Sequence, residues 1–135
     1  MSSNVKIVLT GACGTGKTSI ITKLIYNTFD SNYISTEGGA CGKFQFTYKE
    51  FNDYELTMDI WDTAGQERYK SLTKIFYKNA EIAILVYEIT NKKSFTDLKN
   101  YWIPQLKEAG INDIGKKILY LFFNTYINSY WSSCE

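Results

Sequence analysis

The sequence predicts an α/β domain: a mostly parallel β-sheet with helices on both faces. Three observations predict it. Val5-Lys6-Ile7-Val8-Leu9 is an apolar, β-branched run that reads as a buried strand. It passes through a glycine-rich turn into an amphipathic stretch in which Ile20, Ile21, Leu24 and Ile25 share one helical face. Ile82-Ala83-Ile84-Leu85-Val86 is continuous and apolar, as a strand covered on both faces should be. Lys43 to Tyr48 alternates around Phe44 and Phe46, and Tyr54 to Trp61 returns as its partner after a turn at Asn52-Asp53.

The first turn, Gly11 to Thr18, reads G-A-C-G-T-G-K-T and satisfies the pattern G-x-x-x-x-G-K-[ST] at every fixed position. Gly11, Gly14 and Gly16 lack Cβ atoms, so the chain can curl until its N–H groups point at anionic oxygens. Lys17 adds a cation for outer phosphates, and the Thr18 hydroxyl suits one Mg²⁺ position. The helix that follows places its positive dipole end on the same spot. Cys13, at a variable position of this loop, reads mainly as a small residue near the phosphates.

A second block follows the strand Leu56 to Trp61: Asp62-Thr63-Ala64-Gly65-Gln66-Glu67. An aspartate at the end of an apolar strand can hold Mg²⁺ opposite the threonine of the first loop. Gly65 leaves its N–H free for a terminal phosphate. Gln66, with one acceptor and two donors, suits orienting a water. Ser94-Phe95-Thr96-Asp97 resembles a capping box at a helix start, with Phe95, Leu98, Trp102 and Leu106 on one face. Pro104 removes a hydrogen bond there, so a kink or an early end is expected.

K-I-V-L-T-G-A-C-G-T-G-K-T and W-D-T-A-G-Q-E-R-Y resemble the first and third nucleotide motifs of Ras-superfamily small GTPases. Ile34-Ser35-Thr36, Tyr69-Lys70-Ser71-Leu72 and Leu85-Val86-Tyr87-Glu88-Ile89-Thr90-Asn91 are similar to the Rab branch, the endosomal Rabs in particular, from about Val5 to Leu119. The resemblance implies the P-loop NTPase G-domain fold and a GTP/GDP switch that hydrolyses GTP with Mg²⁺. Its family-type partners would be exchange factors, GTPase-activating proteins and effectors, and its role vesicle traffic. It also implies nucleotide contacts from Gly11, Cys13, Gly14, Thr15, Gly16, Lys17, Thr18, Ser19, Phe29, Tyr33, Thr36 and Gly65. Thr18, Thr36 and Asp62 would take the metal, with Gln66 and Lys17 at the reaction itself. From the residues alone, Thr36 also reads as a loop threonine, and Phe29 as a core residue closing the first helix. After Thr36 the family continues Ile-Gly, whereas Glu37-Gly38-Gly39-Ala40-Cys41-Gly42 stands here.

Composition narrows the function classes. The 135 residues suit one domain. Fifteen basic against fourteen acidic residues leave no basic field for nucleic acid. Cys13, Cys41 and Cys134 are widely spaced and form no zinc or disulfide pattern, and the chain has no histidine, which removes imidazole chemistry. Met1-Ser2-Ser3-Asn4 carries no apolar stretch and no run reaches membrane-spanning length, so a cytoplasmic chain is expected.

The end of the chain departs from the family. Lys116 to Asn124 sits where a fifth strand should run into N-K-x-D, whose aspartate selects guanine. Asn124-Thr125-Tyr126-Ile127 stands there instead, and isoleucine cannot accept those hydrogen bonds. The expected division is a Rab-like but incomplete domain over 1–117, lacking the last strand and helix, and an aromatic-rich tail over 118–135. That tail reads either as translated intron, out-of-frame sequence or a wrong gene model, or as a diverged fifth strand. Cys134 is not placed for prenylation, so no intrinsic membrane anchor is expected. The alternative function is a nucleotide-binding or inactive relative without guanine selectivity. A P-loop ATPase of another class is the third reading.

Overall fold

Ser2–Thr10 forms β1, the strand on which everything else is hung. In the computed structural model, which describes residues 2–28, 42–50, 54–63, 70–111 and 117–123, it is followed by α1 (Lys17–Tyr26), β2 (Gly42–Glu50) and β3 (Tyr54–Asp62). Next come α2 (Lys70–Tyr77), β4 (Ile82–Glu88), α3 (Lys92–Asp97), α4 (Ile103–Glu108) and β5 (Lys117–Phe123). The sheet order is β2-β3-β1-β4-β5. β2 runs antiparallel to β3, and all other pairs are parallel. β1 is central, with Val8 opposite Trp61 on one side and Ala83 on the other.

Alternation along β1 assigns its two faces. Ile7 and Leu9 join Ile21 of α1, Ile60 and Val86 in one buried cluster. Val8 joins Tyr77 of α2 with Ala83, Leu85, Leu98, Trp102, Leu106 and Ile111 on the opposite face. Helices therefore cover both faces, as the sequence predicts. Burying each leucine of this second cluster contributes about 1.5–3 kcal/mol.

Several local expectations change. Leu24 lies on the flank of α1 and is 52% exposed, because Ile21 and the partly buried Ile20 and Ile25 fill the sheet-facing stripe. Asn91, not Ser94, caps α3: its side chain accepts from the Ser94 N–H. The Ser94 hydroxyl is buried against the Glu88 N–H at 3.0 Å and the Asn91 carbonyl at 2.7 Å. The helix starts earlier than expected because the asparagine amide reaches the free N–H first. Pro104 neither ends nor breaks it. Leu98–Trp102 is one π-helical turn, closed by the Ile103 N–H on the Leu98 carbonyl. This wider turn precedes the proline, which sits in the first turn of α4, where a missing N–H costs least.

β5 runs parallel to β4 from Lys117 opposite Ile82 to Phe123 opposite Glu88, carrying the sheet across the 117/118 boundary. Among the described residues no strand pairs with its outer edge and no helix follows it. The turn at Asn52-Asp53 and the chain from Asn124 onward lie outside the described residues.

Candidate phosphate-binding site

The parallel register sets the site. Leu9 pairs with Asp62, so β1 and β3 end side by side, and the loop from Gly11 to Gly16 leaves that shared end. Gly11 and Gly16 need glycine for different reasons. A Cβ on Gly11 would meet the Val86 carbonyl oxygen at 2.1 Å. Gly16 caps α1 in the left-handed region, at φ 93°. The Gly16 carbonyl accepts from the Ile20 N–H at 2.9 Å, the first turn of α1. Thr15 is buried and donates to the Ala12 carbonyl at 2.9 Å, bracing the loop across its width. Cys13 and Gly14 are exposed at its crest, and Ser19 is half-buried on α1.

Lys17 opens α1 but folds back over the loop. Its Nζ donates to the Gly11 carbonyl at 2.9 Å and to the Ala12 carbonyl at 2.7 Å, with the side chain buried. Burial pushes the ammonium pKa down from 10.5 to about 8, against the opposing pull of Asp62 and Cys13. Thr18, one residue on, donates its hydroxyl to Asp62 Oδ2 at 2.6 Å. Burial raises the Asp62 pKa, opposed by the Thr18 hydrogen bond and by Lys17. Both shifts reduce charge, so the site is destabilised in its own ionised state and gains when counter-charges arrive.

Asp62 Oδ1 is buried with no hydrogen-bond partner among the described residues. A carboxylate oxygen left bare in the interior calls for an explanation, and a cation supplies one. One carboxylate and one hydroxyl form a hard oxygen donor set that suits Mg²⁺, an ion that takes few protein ligands and completes its shell with phosphate and water. Among the described residues no cluster of three or more His, Cys, Asp or Glu offers a metal cage. The donor set therefore fits a metal bound together with a phosphate.

The structure thus brings together Gly11, Cys13, Gly14, Thr15, Gly16, Lys17, Thr18, Ser19 and Asp62. Phe29, Tyr33, Thr36, Gly65 and Gln66 lie outside the described residues. Sequence reasoning missed Thr63, whose buried hydroxyl donates to the Leu9 carbonyl at 2.5 Å and ties the end of β3 to the loop entrance. Its place directly after Asp62 was the available signal.

Comparison with known proteins bears on the family. The family model described as "Ras family" matches residues 6–120. The "Ras-like GTP-binding protein RYL2" of Yarrowia lipolytica is 39% identical over 113 residues, covering 84% of this chain and 52% of that protein. The "Ras-related protein Rab-8A" of Bos taurus is 39% identical over 114 residues, covering 84% of this chain and 53% of that protein. "Ras-related protein Rab-8B" of Bos taurus is 38% identical over the same length. The chain spans about half the length of the curated relatives it matches.

Proposed function

From the premise that the chain belongs to the Ras family as a Rab-type small GTPase, we propose that it is a guanine-nucleotide switch that hydrolyses GTP to GDP in vesicle traffic. The observation that carries this reading is the 2.6 Å contact between Thr18 and Asp62, beside the buried Lys17 at the mouth of the glycine loop. It supports the reading because a metal-type oxygen pair and a cation are what a bound polyphosphate needs.

The chain's residues have distinct tasks. The loop from Gly11 to Gly16 and Lys17 bind the phosphates, and Thr18 and Asp62 hold the metal. When bound, Mg²⁺ neutralises charge on the outer phosphates. Gln66 orients a water for in-line attack on the terminal phosphorus. The bond to the bridging oxygen breaks, GDP leaves with that electron pair, and the water's proton passes to the released phosphate. The chain's one arginine, Arg68, follows Gln66 in the segment expected to sense the terminal phosphate. Intrinsic turnover is therefore expected to be slow, with an activating protein supplying an arginine worth roughly 10³–10⁵ in rate. Exchange factors and effectors follow from the same reading, as does a cytoplasmic chain acting at vesicle surfaces. Among the described residues no helix is long and apolar enough to cross a membrane.

Asn124-Thr125-Tyr126-Ile127 in place of N-K-x-D favours a second reading: a nucleotide binder without base selection. Displacement of a fluorescent guanine nucleotide by GTP, ATP and pyrophosphate separates the two. The switch predicts displacement by GTP far below the ATP concentration needed. Equal competition by GTP and ATP would favour the second reading, and no binding of any of the three would sink both.

A further inference from the structure

Thr10 is the last residue of β1 and Tyr77 the last of α2. Their hydroxyl oxygens lie 2.6 Å apart, and both residues are wholly buried. A buried hydroxyl is costly without a partner, and here each satisfies the other. Burial also holds the phenol proton, pushing its pKa well above the ordinary tyrosine range.

The contact sits at the entrance of the phosphate loop. Three consecutive residues there are fixed to three different neighbours. The Leu9 carbonyl accepts from Thr63 at the end of β3, Thr10 meets Tyr77 of α2, and Gly11 lies against the Val86 carbonyl of β4. The loop therefore leaves a clamped stem. A displacement at Thr10 passes directly into Gly11 and Ala12, whose carbonyls anchor the Lys17 ammonium. α2 follows the segment carrying Gly65 and Gln66, and its first residue, Lys70, lies about 10 Å along the helix axis from Tyr77.

We propose that the Thr10–Tyr77 hydrogen bond is a positioning contact that ties α2 to the phosphate loop and sets how long nucleotide stays bound. The proposal rests on the nucleotide reading of the site given above. Tyr77 touches no phosphate in it and acts through Thr10. An apolar pair would fill the same space but fix neither direction nor register, because dispersion contacts lack the directionality of a hydrogen bond.

The test uses the full chain loaded with a fluorescent GDP and Mg²⁺, chased with excess GDP, alongside thermal melting of each loaded protein. Tyr77→Phe and Thr10→Val are each expected to speed release about three- to tenfold, the range one net hydrogen bond supports. Thr10→Ser keeps the hydroxyl and should release at the parental rate. The double variant should release no faster than the faster single, since both remove one contact. Parental release from a Tyr77→Phe protein with a lowered melting temperature would make the pair structural only and overturn the proposal, as would multiplied acceleration in the double variant. Should Tyr77→Phe fail to fold, the threonine position decides: equal rates for serine and valine overturn the coupling, and faster release for valine alone supports it. A parent that binds no GDP overturns the nucleotide reading and the coupling with it. A parent that binds while every variant matches it overturns the coupling alone.

Discussion

Burial disfavours the charged forms of both Lys17 and Asp62, so each gains from a ligand of opposite sign. Replacing Lys17 with alanine removes a charge-assisted donor from the phosphates, and such bonds are worth about 1.5–3 kcal/mol each. Calorimetry should therefore show GDP affinity falling by roughly 10- to 150-fold, with a cooperative melt retained. The lowered Lys17 pKa also sets a pH signature. In the unfolded chain this lysine keeps its proton up to 10.5, whereas in the fold it releases it near 8. Between those values unfolding takes up a proton, so stability of the nucleotide-free protein gains from this residue as pH rises through the window. Phosphate binding has the opposite sign because it needs the cation, so GDP affinity should fall as pH climbs through about 8. Calorimetric titrations at pH 7, 8 and 9 check this, and Lys17→Met should flatten the trend. Gln66→Leu should slow hydrolysis, read in single-turnover assays, while leaving GTP binding intact. Most of these residues were legible in the sequence because a fixed spacing names them. Thr63, Thr10 and Tyr77 were not, because their importance comes from partners 54 and 67 residues away.

The elements divide along the same line. β1 and β4 are visible as apolar runs because burial on both faces demands apolar residues at successive positions, whereas β3 shows as the alternating partner of β2. The start of α3 differs from the expected one because Ser94 and Asp97 mimic a capping pattern, whereas the Asn91 side chain caps the helix. The π-helical turn before Pro104 has no local signal, since it arises from the helix continuing past a residue that should stop it. Two substitutions test the local account by chemical denaturation. Asn91→Ala removes a cap and should cost about 1 kcal/mol. Ser94→Ala should cost more, about 1–3 kcal/mol, because it strips a buried partner from the Glu88 N–H as well. Equal, negligible losses would show that tertiary packing alone holds this helix.

For the whole molecule, the sheet order places the paired ends of β1 and β3 at its centre, with β2 and β5 outermost among the described residues. β5 reads K-I-L-Y-L-F-F, apolar with one charge, and an outer edge of that composition templates pairing with other chains. Light scattering should detect self-association that grows with protein concentration. On the proposed reading, nucleotide that binds only the folded form should raise the melting temperature in a dose-dependent way. The sheet was legible because its strands and the glycine loop each carry strong local patterns. The base-binding end was not, because the residues that would form it depart from the motif at Asn124-Thr125-Tyr126-Ile127. The central claim is that Thr18 and Asp62 complete a metal position beside a phosphate loop. Calorimetric titration of GDP with and without Mg²⁺, into the parent and into Asp62→Ala, tests it most directly. The account predicts that Mg²⁺ tightens GDP binding to the parent at least about tenfold, a gain of roughly 1.4 kcal/mol, and that Asp62→Ala loses this gain while still binding GDP weakly. The same Mg²⁺ dependence in both proteins, or no GDP binding by the parent, would contradict it.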